Sequence, residues 1–212
     1  MLEALTGTGL ATAAGLNAYI PLLVIGALAR WTDLMDTPAG WEWLTNGWVL
    51  AVLAVLLALE VVADKIPGVD SVNDIVQTVV RPVAGGIAFG AGSSSQTAVV
   101  TDPQAFVESG QWVPIVIGIV LALVVHGAKA TVRPVVNVTT LGAGAPVVST
   151  VEDVTSVGLS FAAILAPLLV LVALVGLVLV WIRFRRRRRR GELSGETADE
   201  VSSPPPPQVD IP

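Results

Sequence analysis

The 212-residue chain has no cysteine, a single histidine (His126), a single tyrosine (Tyr19) and two lysines (Lys65 and Lys129). Without cysteine there are no disulfides, no thiolate metal sites and no cysteine nucleophile. One histidine rules out a His-rich metal centre. Charged residues make up 14% of the chain, against roughly 25% in a soluble domain. There is no nucleophile elbow, no phosphate-binding loop and no HExxH motif. The chain is therefore expected not to be an enzyme and to need no metal or cofactor. What fills it instead is apolar: 53% of residues are hydrophobic and the mean hydropathy is +0.75. That is the composition of an integral membrane protein.

The net charge of −5 is spread unevenly. Arg183 and the run Arg185 to Arg190 precede an acidic tail with Glu192, Glu196, Asp199, Glu200 and Asp210. The basic run (residues 183–190) follows an apolar segment, so it reads as a cytoplasmic stop signal and not as a nucleic-acid patch. Residues 191–212 are low-complexity, acidic and Pro-rich, and are expected to be disordered. Met1-Leu2-Glu3 lacks a basic n-region and no small-residue cleavage site follows, so the first apolar segment is expected to stay as a span.

One motif occurs twice. Val80-Arg81-Pro82-Val83 leads to Gly90-Ala91-Gly92, and Val132-Arg133-Pro134-Val135 leads to Gly142-Ala143-Gly144, at a constant offset of 52. Upstream, Trp48-Val49 runs to Lys65 and Trp112-Val113 runs to Lys129, at an offset of 64. The difference is a 12-residue insert, Ile66 to Gln77. This pattern reads as an internal duplication of residues 48–92 and 112–144, with Lys65/Lys129 and Arg81/Arg133 as equivalent pairs.

In chain order the segments predict an all-α polytopic fold with about six crossings, within a transmembrane domain spanning residues 1–182. These are 5–29, 48–63, 78–100, 112–128, 132–148 and 157–182, each weighed against roughly 30 Å of hydrocarbon. The first is rich in Gly and Ala, carries Asn17, Tyr19 and Pro21, and is expected to pack inside the bundle. Two crossings, 78–100 and 132–148, read as helices broken by Gly and Pro. Trp31, Trp41, Trp43 and Trp48 read as an interface belt. Pro67-Gly68 reads as a turn, with Asp70 or Ser71 capping a short helix.

The Arg run places the C-terminus in the cytoplasm, and six crossings place the N-terminus there too. The expected location is the cytoplasmic (inner or plasma) membrane. Lys65, Arg81, Lys129 and Arg133 then lie inside, and Asp33, Asp36, Glu42, Asp102, Glu108, Glu152 and Asp153 outside. Only Arg30 breaks the rule, and it can snorkel. The repeats become parallel, related by an axis near the membrane normal. The alternative is four spans, which makes the repeats antiparallel.

Three constellations could carry function. The paired broken segments, with Gly90, Gly92, Gly142 and Gly144, point to a transport site or to tight helix packing. The basic residues Lys65, Arg81, Lys129 and Arg133, joined by Asn17 and Asn137, could hold an anionic small molecule or lipid head group, or merely anchor the inner face. Glu60, Asp64, Asp70 and Asp74 are expected to pair with them, since two carboxylates are weak evidence for a cation site. Asn73 and Gln77 lie among these acids. The second copy lacks the insert and its acids, so Arg133 is expected to have no protein counter-ion and to hold a bound anion. Glu152-Asp153 reads as acids in a first helical turn, and His126 as a packed histidine or a proton relay.

The runs Ala13-Ala14-Gly15-Leu16-Asn17-Ala18-Tyr19 and Val62-Ala63-Asp64-Lys65-Ile66-Pro67-Gly68-Val69-Asp70-Ser71-Val72-Asn73-Asp74 are similar to bacterial membrane proteins grouped as domain of unknown function 4126. So are Val80-Arg81-Pro82, Lys129 to Asn137 and Ala145 to Asp153. The resemblance covers residues 5 to 182. It implies an all-helical membrane protein and supplies no catalytic residues. The expected function is a small transporter or channel-like carrier of an anionic solute or lipid head group. The alternative is a scaffold or partner-binding subunit working through small-residue helix faces. The lipid bilayer is the expected environment, and transport by so few helices invites a homo-oligomer.

Overall fold

The computed structural model describes residues 2–66, 69–93 and 107–170, together with Val172, Val175, Gly176, Leu179 and Arg183. Contacts divide the chain into two units, residues 1–171 and 172–212. The stop run beyond Arg183, the acidic tail, Pro67-Gly68 and Asp102 lie outside the described residues.

Among the described residues there is no strand, and six α-helices are followed from end to end: α1 Leu2–Leu16, α2 Tyr19–Trp31, α3 Gly47–Ala63, α4 Val69–Gly92, α5 Trp112–Thr139 and α6 Ala145–Leu165; residues 167–170 are helical again. A single 3-10 turn, Glu42–Thr45, precedes α3. Among the described residues three helical stretches are long and apolar enough to cross a membrane: Val72–Gly92, Trp112–Thr139 and Ala145–Leu165.

The expected first span is two helices. α1 and α2 have 15 and 13 residues, about 22 and 20 Å at the α-helical rise. The chain breaks at Asn17-Ala18. Pro21 has no N–H for the carbonyl of Asn17, four residues back, and its ring crowds that carbonyl. The Asn17 side chain fills the gap: its Oδ1 accepts from Tyr19 N at 3.1 Å and Ile20 N at 3.3 Å. α2 then runs back beside α1.

Of the two segments expected to be broken, the first is unbroken through Gly92, while 132–148 is broken, at its glycines and not at Pro134. α4 is continuous through Arg81, Pro82, Gly85, Gly86 and Gly90. α5 is continuous through Lys129, Arg133 and Pro134, and ends at Thr139. The break falls later, where Leu141 and Gly142 take positive φ of 53° and 84°. Residues 149–153, expected to be an outer loop, lie inside α6. The expected span 157–182 is interrupted at Ala166, which leaves the helical region (φ −148°, ψ 70°), as the residue before Pro167 is biased to do.

Helix directions follow from contacts. α4 and α5 are antiparallel: Gly85 abuts Gly118, Arg81 meets His126 and Asp74 meets Arg133. The backbones of Gly85 and Gly118 touch so closely that neither position has room for a Cβ. α1 is the central helix. Gly7, Gly9, Leu10, Ala11, Thr12, Ala13, Ala14 and Gly15 are all buried, and α1 packs on α2, α4, α5 and α6. In lipid, apolar side chains gain little by leaving their neighbours, so close backbone approach through small residues holds such helices together.

The bundle has two unlike ends. At one lie Trp31, Trp43, Trp48 and Trp112, all exposed, with Trp41 buried over Gly90. Arg30 belongs here, donating to Thr45 O at 2.7 Å and lying 5.8 Å from the centre of the Trp31 ring. Leu2 shares a cleft of about 270 Å³ with Asp36 and Gly92, so α1 also begins at this end. At the other end the charged side chains turn inward.

Candidate functional site

α1 to α6 all reach the charged end. α3 brings Glu60 and Asp64, one helical turn apart on one face. α4 brings Asn73, Asp74, Gln77 and Arg81, and α5 brings His126, Lys129 and Arg133. α6 contributes Glu152 and Asp153, while the α1–α2 junction contributes Asn17 and Tyr19. Arg81 is fully buried, and Glu60, Asp64, His126, Lys129 and Arg133 are each at most 6% exposed.

Asp64 is the hub. It lies 2.8 Å from Arg133, 3.4 Å from Lys129 and 4.0 Å from Arg81. Its other oxygen accepts from Asn73 Nδ2 at 2.7 Å. Glu152 bridges Lys129 at 2.8 Å and Arg133 at 2.9 Å. Asp74 lies 3.5 Å from Arg133. Arg81 donates to Glu60 Oε1 at 2.9 Å and lies 3.1 Å from His126 Nδ1. A guanidinium can only donate, so Nδ1 is the acceptor and His126 is neutral with its proton on Nε2. Nε2 lies 3.1 Å from Thr78 Oγ1, which donates to Asp74 O at 2.9 Å. At the rim, Lys65 pairs with Asp153 at 3.7 Å, and Asn17 Nδ2 donates to Asp153 at 2.9 Å. Lys129 also reaches the carbonyl of Leu16, the last residue of α1.

The structure brings together Arg81, Lys129, Arg133 and Asn17, with Lys65 at the edge. Glu60, Asp64 and Asp74 lie within ion-pair distance of basic side chains, while the Asp70 side chain lies outside the described residues. Gly90 and Gly92 are not at this site. They stand about 14–17 Å further along α4 than Arg81 at the helical rise, against Trp41 and Leu10. Gly142 and Gly144 sit in the α5–α6 turn, and Asn137 is half-buried just before it. The two Gly-Ala-Gly segments therefore do not face one another.

Arg133 corrects the expectation of an uncompensated arginine: three carboxylates surround it. Two come from the α3–α4 hairpin and one from α6. Glu152 and Asp153, expected outside, join the inner cluster because residues 149–153 are helical. The equivalence of the two copies also fails on direction. α4 returns beside the end of α3, pairing Asn73 with Asp64 and Arg81 with Glu60. In the second copy a single helix, α5, runs straight from Trp112 past Arg133. The insert allows the first copy to reverse, and the second has nothing in its place.

Sequence reasoning missed Glu152, Asp153 and Tyr19 as members of the cluster. A signal for the first two was present. Ala145, Ser149, Ser156, Ser160 and Ala163 are buried and spaced by 4, 7, 4 and 3, the period of a helix with a small-residue face.

Helices of this apolarity, with charged groups turned inward, define a protein of the α-helical membrane class. Residues 4–187 match the family described as Domain of unknown function (DUF4126), and the chain belongs to that family. No curated protein and no solved structure matches it.

Proposed function

We propose that the protein is a small multi-pass membrane carrier whose working site is the buried cluster, and that the species it handles is a proton or a small cation. One observation carries this reading. The mutually paired groups comprise four carboxylates (Glu60, Asp64, Asp74, Glu152) and three cations (Arg81, Lys129, Arg133). The rim pair Lys65–Asp153 is balanced. A charge buried at membrane depth is costly unless compensated, so one excess carboxylate favours one added positive charge. The anion expected from the sequence would meet guanidinium groups that already have carboxylates. The scaffold reading loses support because the small-residue face of α1 is used inside the bundle.

We orient the charged end toward the cytoplasm, following the Arg run and the tryptophans at the opposite end. Then α1 and α2 form a hairpin entered from outside, α3 to α6 make four passes, the apolar sequence 167–182 is read as a fifth that returns the Arg run to the cytoplasm, and Leu2 faces outward, not inward. The chain has no native cysteine, so single cysteines report cleanly. Leu2→Cys and Ser109→Cys should label in intact cells, and Thr140→Cys only after permeabilisation. Labelling of Thr140→Cys from outside reverses this orientation. For the activity, full-length protein in proteoliposomes loaded with a pH-sensitive dye should move protons faster than empty vesicles under an imposed potential. If inorganic phosphate enters instead and internal pH is unchanged, the cation reading fails.

A further inference from the structure

Several buried polar atoms at the charged end have no partner, among them Glu60 Oε2 and Gln77 Oε1. Glu60 is 3% and Gln77 2% exposed, so water is not a ready substitute. Both atoms are acceptors. Leaving such atoms unpaired away from water costs about 1–3 kcal/mol each.

Their placement relates them. Asn73, Gln77 and Arg81 are spaced by four residues and form one face of α4. Asn73 reaches Asp64 and Arg81 reaches Glu60 on the antiparallel α3. Gln77 is the rung between them on that face of α4. Tyr19, at the start of α2, interacts with both Gln77 and Glu60.

We propose that Glu60 is a proton-binding site, protonated on Oε2 and donating that hydrogen to Gln77 Oε1. One proton satisfies both orphaned acceptors. It leaves Oε1 free to keep the 2.9 Å bond from Arg81. It also equalises the cluster at three carboxylates and three cations. The groups facing Glu60 are Arg81 from α4, Lys129 from α5, Tyr19 from α2 and Asp64 on its own helix. A bare metal ion fits less well, because a hard cation takes six or so oxygens. Among the described residues no group of three His, Cys, Asp or Glu is arranged to hold a metal. The inference deepens the carrier reading above and makes the proton its ion.

Infrared difference spectroscopy on the full chain in bilayers at pH 7 tests it, comparing H2O with D2O. The expected signal is the carbonyl stretch of a protonated carboxylic acid, shifted down in D2O. It should vanish in Glu60→Gln and move to higher frequency in Gln77→Leu, which removes the acceptor. Glu60→Gln keeps a neutral donor at the same place, so its thermal midpoint should stay close to that of the natural chain. Should that variant fail to fold, the Gln77→Leu shift decides alone. No such band in the natural chain, a band that survives Glu60→Gln, or one unmoved by Gln77→Leu overturns the proposal. A band without proton flux sinks the carrier reading alone, and flux without a band sinks this site alone.

Discussion

Val80-Arg81-Pro82-Val83 and Val132-Arg133-Pro134-Val135 are the same four residues in two settings. Both prolines lie inside helices, and both arginines turn into one cluster. Yet α4 and α5 run in opposite directions, so the arginines approach Asp64 from opposed backbones. Arg81 has Glu60 close by and His126 as a neutral acceptor, with Asp64 at 4.0 Å. Arg133 has Asp64, Glu152 and Asp74. A local motif thus fixes which residue is buried and charged, while the partners are set by how the chain reverses around it.

The comparison breaks most completely at its shared acid. Asp64→Ala should remove the counter-ion nearest to Arg133 and leave Lys129 and Arg133 to share Glu152, with Asp74 the only other acid near Arg133 among the described residues. Removing one partner of a buried pair typically costs about 3–5 kcal/mol. Unfolding of the purified protein in detergent micelles should show a loss of that size, and a change below about 1 kcal/mol would remove Asp64 from the centre of the account.

The two arginines should then be unequal. Arg133→Gln removes a partner from three carboxylates, leaving Asp64 and Glu152 to share Lys129 and breaking the pair with Asp74, whereas Arg81→Gln removes a donor chiefly from Glu60, which its bound proton keeps neutral. Arg133→Gln should lower unfolding stability by about 3 kcal/mol and Arg81→Gln by clearly less. Equal losses, or the reverse order, would mean that Glu60 depends on Arg81 for its compensation.

A smaller effect separates the two kinds of proline. Asn17→Ala removes the oxygen that caps α2 after the Pro21 break, and the bond to Asp153 with it. A lost cap costs about 1 kcal/mol. If stability is unchanged, the α1–α2 break does not depend on Asn17.

The apolar runs, the all-helical class and the inward charges at one end were legible in the sequence. The direction of the chain was less so. Pro21, Pro82 and Pro134 sit in similar apolar runs, but only Pro21 coincides with a break, where the preceding Asn17 can take over the freed donors. At Pro82 and Pro134 the helix carries on, as helices packed among neighbours can. The copies looked equivalent because sequence alignment registers residues, not chain reversal. Glu152 was misplaced because two adjacent acids resemble a helix start. The small-residue period through Ser149, Ser156 and Ser160 outweighs them.

The central claim is that protein carboxylates, and not a bound anion, compensate Arg133. A double-mutant cycle on Arg133→Gln and Asp64→Asn, read by unfolding of the full chain in detergent with and without inorganic phosphate, tests it most directly. The account predicts a coupling of about 1–3 kcal/mol and no stabilisation by phosphate in the natural chain. Additive losses, together with phosphate stabilisation that Arg133→Gln abolishes, would contradict it.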